Sequence, residues 1–538
     1  MRKLVILSLL IPLLWPASLR AQSGTRVPDL TFVFPSASYD PVRYESGILL
    51  SNNWRRLGLE VEVVPMDFTA LSRRISTPPW DFHAFISGFV ARPERLDPDV
   101  LLFRPFHSSQ DVPGGTNFMG YRNPEYDRLV EAQRTEIDVR KRREIVFKLQ
   151  EILARDVPTI TLYHPVEVHA YNKEKFRGHV PTIGYGIFNF WTLVQATPLT
   201  GDGILKVGRV SDIESTNPFV EAGGANIEVM RLIYDTLARV DPTGKPVPWA
   251  ARSWRQVDPT TVEVELRSGM TFHDGRPVTA EDVKFSYDYQ KRWPVPLFKP
   301  FLDPVKEVEI LSPTLLRFRL AEPFPPLFQA TFTQIYLIPR HVWGDVVERE
   351  RLKHPQDWAN PTPIGSGPFK FELWRRGEET RLVRYEKHFN APRARGFILV
   401  KFANQDALFL ALKKGEIDMH ERRLLPQQVE EAKTVPHLAL VRRPDFGVFY
   451  LGFNLRKPPF SDVRFRRALA HTVNYDVIVN VIQRGLAEPG RGMIAPVNEF
   501  WHNPNVRYAE FNMERARSLL REAGYTWDAQ GRLLMPAR

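Results

Sequence analysis

The chain has 538 residues, 43% of them hydrophobic and 25% charged, which suits a folded protein of two or three domains and excludes a disordered one. There is no cysteine, so stability rests on core burial without disulfides, and an acylated N-terminal cysteine anchor is excluded. The formal charge is +11, but the basic residues are scattered. The two local runs, 140–143 and 464–467, fall in helix-like segments and read as solvated faces, not as a nucleic-acid or membrane surface.

The N-terminus reads as a signal peptide over residues 1–21. Arg2 and Lys3 form its basic start, residues 4–14 its apolar stretch, and Ala17, Ser18 and Ala21 the small residues of a cleavage site. Eleven apolar-region residues are too few to span a bilayer comfortably. Cleavage after Ala21 removes Arg2, Lys3 and Arg20 and leaves a formal charge of +8. The expected location is the periplasm, without a lipid anchor.

Residues 28–195 alternate strand-like and helix-like segments. Residues 30–34 and 61–64 are short apolar strands, and the helical pattern of 41–57 stops at Gly58. Asn123-Pro124 is a helix start, with Asn as N-cap and Pro in the first turn. Asp138 caps the next helix, whose Ile145, Leu149 and Ile152 form one buried face. Residues 196–203 (ATPLTGDG) make a polar linker, followed by a strand at 204–207. Residues 261–267 alternate as a half-buried strand should, and Thr279 caps a helix with Glu281 and Asp282 in its first turn. Ser461-Asp462 opens a helix expected to run to about Gln483. Asn512 and Gly524 bracket a shorter one.

Motifs for catalysis are absent. Gly365-Ser366-Gly367 lacks the spacing of a nucleophile elbow, and His420-Glu421 is followed by Arg422, Arg423 and Leu424 rather than by a second zinc-binding histidine. His83 and His273 are isolated histidines, a pattern commoner for structural residues than for ligands or general bases. No metal site and no cofactor is expected.

Residues 246–289 (PVPWAARSWRQVDPTTVEVELRSGMTFHDGRPVTAEDVKFSYDY) closely resemble the most characteristic region of the family 5 extracellular solute-binding proteins. Further landmarks follow in the family's order: Gly365 to Phe369 (GSGPF), 410–419 (LALKKGEIDM), 451–455 (LGFNL), 460–474 (FSDVRFRRALAHTVN) and 512–525, ending REAGY. Residues 119–127 (MGYRNPEYD), 142–156 and 158–171 resemble the family's C-terminal region, yet stand in front. Each element occurs once in rotated order, and the expected arrangement is a circular permutation, with 196–203 joining the family's old termini.

The resemblance implies an α/β, two-lobe periplasmic-binding-protein fold of enlarged type II, with mixed sheets, flanking helices and a hinge between lobes. Carried onto this chain, lobe I is 172–447, and lobe II is built from 27–171 and 448–538. Hinge strands are expected near 166–171 and 447–453. The implied function is capture of a small molecule or peptide by lobe closure and delivery to the membrane permease of an ABC importer, by a monomer and without enzymatic turnover. An exported sensor or peptide chaperone of the same fold is the alternative; an exported hydrolase has no motif in its favour.

In peptide-binding members an aspartate in a Gly-Trp-x-x-Asp stretch pairs with the peptide ammonium. The matching residues are Gly88 to Arg92 (GFVAR), which puts Arg92 in the aspartate's place, unless Asp97 takes that role. A guanidinium favours a carboxylate, a phosphate or sugar hydroxyls. The expected ligand-binding set is Phe89, Arg92, Asp97, Asn217, Tyr336 and Tyr450.

Overall fold

The computed structural model describes residues 24–537 except 92, 185, 221–223, 296–297 and 422. The expected signal peptide and Arg92 therefore lie outside the described residues.

A fourteen-residue strand, Thr159–Asn172, is the spine of the molecule. At roughly 3.4 Å per residue it reaches about 45 Å, long enough to serve two bodies. Its first residues pair antiparallel with Val448–Phe453, Thr159 opposite Gly452 and Tyr163 opposite Phe449. Its last residues pair antiparallel with Leu438–Pro444, from Val166 opposite Pro444 to Asn172 opposite Leu438. The expected hinge segments 166–171 and 447–453 begin at the change of partner and continue into one body and the other, respectively. The crossings fall near Pro165 to Glu167 and Asp445 to Gly447.

On one side the sheet continues through Met419–His420, Ile204–Arg209, Gly396–Lys401, Glu379–Arg384 and Phe369–Arg375. On the other it continues through Ala84–Phe89, Leu30–Pro35 and Val61–Met66, and the last two run parallel. The large core of the first body, with Trp343, Tyr287 and Phe318 at its centre, draws only on residues between Phe176 and Met419. The second body has two cores, one on each face of its sheet, built from residues 27–163 together with 448–533. Leu30 is buried in one of these cores, and Leu519 packs against it.

The two ends of the described chain meet. Arg26 bridges Leu534 antiparallel, the Val27 N–H donates to the Leu533 carbonyl at 3.0 Å, and the Met535 N–H donates to the Thr25 carbonyl at 2.8 Å. In the 196–203 linker Thr197–Pro198 pairs antiparallel with Phe176–Arg177, and a turn follows with Gly201 and Gly203 at φ 79° and 78°.

Local chemistry explains the helix starts. The Asn123 side chain accepts from the Glu125 and Tyr126 N–H groups, Asp138 from Arg140 and Lys141, and Asn512 from Arg515. The Asp282 carboxylate accepts from both the N–H and the hydroxyl of Thr279.

Two expectations need correction. The single helix over 461–483 is broken: an α-helix spans Val463–Ala470, and a separate wide-turn helix spans Val477–Ile482. Thr472 sits in the break because its hydroxyl accepts from the Trp54 indole and its carbonyl accepts from Asn53. The basic runs are not wholly solvated either. Arg142 is buried against the Asp97 carboxylate at 2.7 and 2.8 Å, and Arg466 is buried where it donates to the carbonyls of Asp156, Val157 and Phe460.

Candidate functional site: the cleft between the lobes

The bodies touch beside the two crossings. Ala91, Leu96 and Ala495 of the second body pack with Ile183 and Val240 of the first, and Phe446 of the crossing joins them. A Cβ on Gly244 would come within 2.9 Å of Leu96, so the approach there is close. Farther out, the Arg134 guanidinium lies 5.7 Å from the Phe324 ring of the opposite body.

The floor of this cleft is charged. Glu167 on the spanning strand lies 3.3 Å from His169 and 3.7 Å from Arg423. Asp445, at the other crossing, accepts from the Gly447 N–H at 2.9 Å and shares a hydrogen bond with Glu167. Two carboxyl groups in contact share one proton. Burial, then the charge of Glu167, pushes Asp445 well above the ordinary aspartate range. Burial opposes ionisation of Glu167 too, but the nearby His169 and the charge of Arg423 outweigh it and hold Glu167 low. Of the two, Asp445 is the carboxyl that holds a proton more readily. His164 beside them is neutral, lowered by burial to about 4. Its Nδ1–H donates to the Gly447 carbonyl, and its Nε2 accepts from the Arg491 N–H.

The second body adds a cation from above. Asp40 caps the helix Pro41–Arg55 and binds the Arg43 guanidinium at 2.7 Å. Arg43 lies 5.3 Å and Arg423 6.0 Å from the Phe449 ring, which stacks on Tyr163 at 4.9 Å. The first body adds Arg209 at the end of its strand, 2.9 Å from Glu421 and 3.7 Å from Glu228. Glu228 also borders a cavity of about 800 Å³ with Arg231, Gln334, Trp191 and Asp241, closed at one point by Leu96 of the other body. The result is separate groups of paired charges: Asp40–Arg43 and Arg423–Glu167, whose guanidinium groups both approach the Phe449 ring, and Glu421–Arg209–Glu228 in the first body.

Two aromatic rings border these groups. Tyr39 and Phe68 follow the C-terminal ends of the parallel strands Leu30–Pro35 and Val61–Met66, where clefts form in such sheets. They stack at 5.3 Å with 12° between planes, yet are 48% and 39% exposed. Arg43 lies 5.4 Å from the Tyr39 ring and so joins this pair to the charged floor.

Of the six residues expected from sequence, Phe89 is half-buried at the cleft edge, its carbonyl beside Gly447 and the Arg95 guanidinium 5.4 Å from its ring. Arg92 is outside the described residues. The other four are buried. Asp97 caps the helix Pro98–Phe106 and is sealed by Arg142. Asn217 is fully buried, donates to the carbonyls of Pro355 and Trp358 and accepts from the Phe219 N–H, so every polar group of its side chain is engaged. Tyr336 packs against Tyr234 and Phe298, and Tyr450 against Phe89 and Phe85. His83 and His273 also hold structure. His83 Nδ1 accepts from the Thr31 N–H, and His273, lowered by burial to about 4, donates to the Gly367 carbonyl and accepts from the Gly365 N–H. That last bridge ties the FHDG motif to the GSGPF motif.

Sequence reasoning missed Asp40, Arg43, Glu167, Arg423, Asp445, Tyr39 and Phe68. A usable signal existed for Tyr39 and Phe68, since each is an aromatic beside a capping aspartate just after a strand.

A family model for bacterial extracellular solute-binding proteins, family 5 middle region, matches residues 245–537, more than half of the chain. The chain belongs to this family. The solute-binding relatives include the oligopeptide-binding protein AppA of Bacillus subtilis, 24% identical over 60% of this chain and 60% of that one. The dipeptide-binding protein of Escherichia coli K12 is 24% identical over 58% of this chain and 61% of that one. Among solved structures, NikZ of Campylobacter jejuni in complex with Ni(L-His) superposes with a TM-score of 0.53 at 22% identity, covering 62% of this chain and 66% of that one. The chain thus spans about three-fifths of the length of the curated relatives it matches. The fold is that of a type II periplasmic binding protein.

Proposed function

We propose that this solute-binding protein captures a small solute between its lobes and delivers it to the permease of an ABC importer, acting as a periplasmic monomer without turnover. The observation that carries the reading is the charged floor reaching across the hinge. Each lobe contributes part of it, so a ligand seated there contacts both lobes only in the closed form and stabilises that form. The charges are already paired within the protein, so an incoming polar group exchanges partners at modest desolvation cost. Tyr39 and Phe68 supply a flat apolar face for the remainder of the solute.

The names of the relatives point to peptides and metal chelates, and this chain departs from the peptide pattern at Arg92. We propose a solute whose recognised group is a carboxylate, phosphate or hydroxyl-rich moiety rather than a free peptide ammonium. The rotated order of family elements supports a circularly permuted family member, in which lobe I comprises 172–447 and lobe II comprises 27–171 with 448–538. The pairing of Arg26 with Leu534 and the short 196–203 turn are what such a permutation requires. Mass spectrometry of small molecules released from the purified, folded protein tests the reading. A single solute at near-equimolar amount is expected. Tight calorimetric binding of ordinary short peptides would refute the ligand class, and covalent turnover of the bound solute would refute the binding role.

A further inference from the structure

A second cavity lies entirely within the lobe made from both chain segments. It offers about 1210 Å³ of space, part of it open to solvent, more than the opening beside the interlobe cleft. Its walls come from the C-terminal half of the helix Val139–Asp156, the first residues of the spanning strand, the end of the helix Val463–Ala470, the segment 507–509 and the start of the helix Met513–Glu522.

The lining has two distinct parts. Leu153, Val157, Ile160, Ala470, Met493 and Leu519 form an apolar part. Arg467, Arg507, Arg515, His471, Tyr475 and Tyr508 form a polar one. No carboxylate lines the cavity, and its three arginines carry a formal +3 that Glu522, just outside the lining, partly offsets. Arg467 donates to the Arg155 carbonyl and Arg515 pairs with Glu522 on its own helix. The Tyr475 hydroxyl donates to the Thr161 carbonyl, and His471 Nδ1 meets the Glu510 carbonyl. Arg507 makes no hydrogen bond or ion pair with any described residue, and it sits in the 507–509 segment beside these cations.

Three guanidinium groups, of which only Arg515 has a carboxylate partner, raise the local potential at the cavity mouth. Arginine is the residue that holds carboxylate and phosphate in a forked geometry. Ligand sites are concave, mostly apolar and supplied with a few placed polar groups, which describes this cavity. We propose that it is a second binding site, distinct from the interlobe cleft, for a small amphiphile with one anionic headgroup on an apolar body. The headgroup meets Arg507 and Arg515, and the body lies on Leu153, Ile160, Met493 and Leu519. Occupancy would bind the helix Met513–Glu522 to the helix Val139–Asp156, and so join the two chain segments of this lobe.

Calorimetric titration of the full mature protein with octanoate, octyl phosphate and octanol tests the proposal. Octanoate or octyl phosphate is expected to bind with a stoichiometry of one, and the tighter of the two identifies the headgroup. The variant R507E/R515E, whose substitutions are exposed, is expected to weaken that binding at least tenfold while the melting temperature stays within a degree or two. The cleft variant R423A is expected to leave it unchanged, so the result is independent of the interlobe reading. No binding at millimolar octanoate or octyl phosphate would overturn the site. Equal binding of octanol, or loss in R423A but not in R507E/R515E, would overturn it as well.

Discussion

Two buried clusters of arginine and carboxylate in this protein look alike in sequence and differ in role. In the first, Arg142 meets Asp97 through two short bonds and Gln133 through its remaining hydrogens, all within one lobe. In the second, Arg423 stands 3.7 Å from Glu167, beside Asp445, whose burial favours its neutral form, at the strand crossings between lobes. The first cluster is saturated and fixes a helix pair. The second is loosely paired and lies at the crossings, where the proposed closure would bring a solute against both lobes. Burial of charge alone does not mark a binding site; unspent hydrogen-bonding capacity at a moving boundary does.

The largest effect that would test this contrast is on stability. Arg142→Ala leaves the Asp97 carboxylate buried without its partner and is expected to cost about 3–5 kcal/mol in chemical denaturation. A loss under ~1 kcal/mol would mean that this pair, too, is loosely held. Arg423→Ala is expected to act on binding first, weakening capture of the co-purified solute by ~2 kcal/mol, about thirtyfold, as read by calorimetry. Its melting temperature should fall less than that of Arg142→Ala.

Acid provides the next test. His164 is buried beside the crossings and its folded pKa is about 4, below its ordinary 6.5. Its neutral form is the one compatible with folding, so its contribution is full above pH 6.5 and is lost as the unfolded state takes up a proton between pH 6.5 and 4. The melting temperature is expected to be flat from pH 8 to 7 and to drop across that window by the equivalent of ~1–3 kcal/mol per such histidine. His164→Gln should shallow the drop, and an unchanged slope would remove His164 from this account. The smallest effect is expected at the exposed ring pair: Tyr39→Ala or Phe68→Ala should lower solute affinity by ~0.5–1.5 kcal/mol and leave stability nearly unchanged.

Much of the frame was legible in the sequence because it depends on local chemistry. Asn123, Asp138, Thr279 and Asn512 start helices where capping rules place them, and the apolar period of the helix Val139–Asp156 names its buried face. Family landmarks such as FHDG and GSGPF were also visible, and the structure assigns them to holding lobe I through His273. The site was poorly legible. Its residues are far apart in the chain: Asp40, Glu167, Arg423 and Asp445 converge only because a single strand serves both bodies. Polar residues near strand ends, such as Asn217, attracted attention, yet Asn217 spends all its hydrogen bonds inside one lobe. The buried Arg142 and Arg466 were hidden for the opposite reason, as each stands within a run of arginines whose other members reach solvent.

The account rests on a solute held across the hinge by the charged floor. Native mass spectrometry of the mature protein and of Arg423→Ala, purified side by side, tests this most directly. One small molecule is expected on most copies of the unaltered protein and on few or none of the variant. Equal occupancy in both, or a solute-free unaltered protein that melts no higher than the variant, would contradict the central claim.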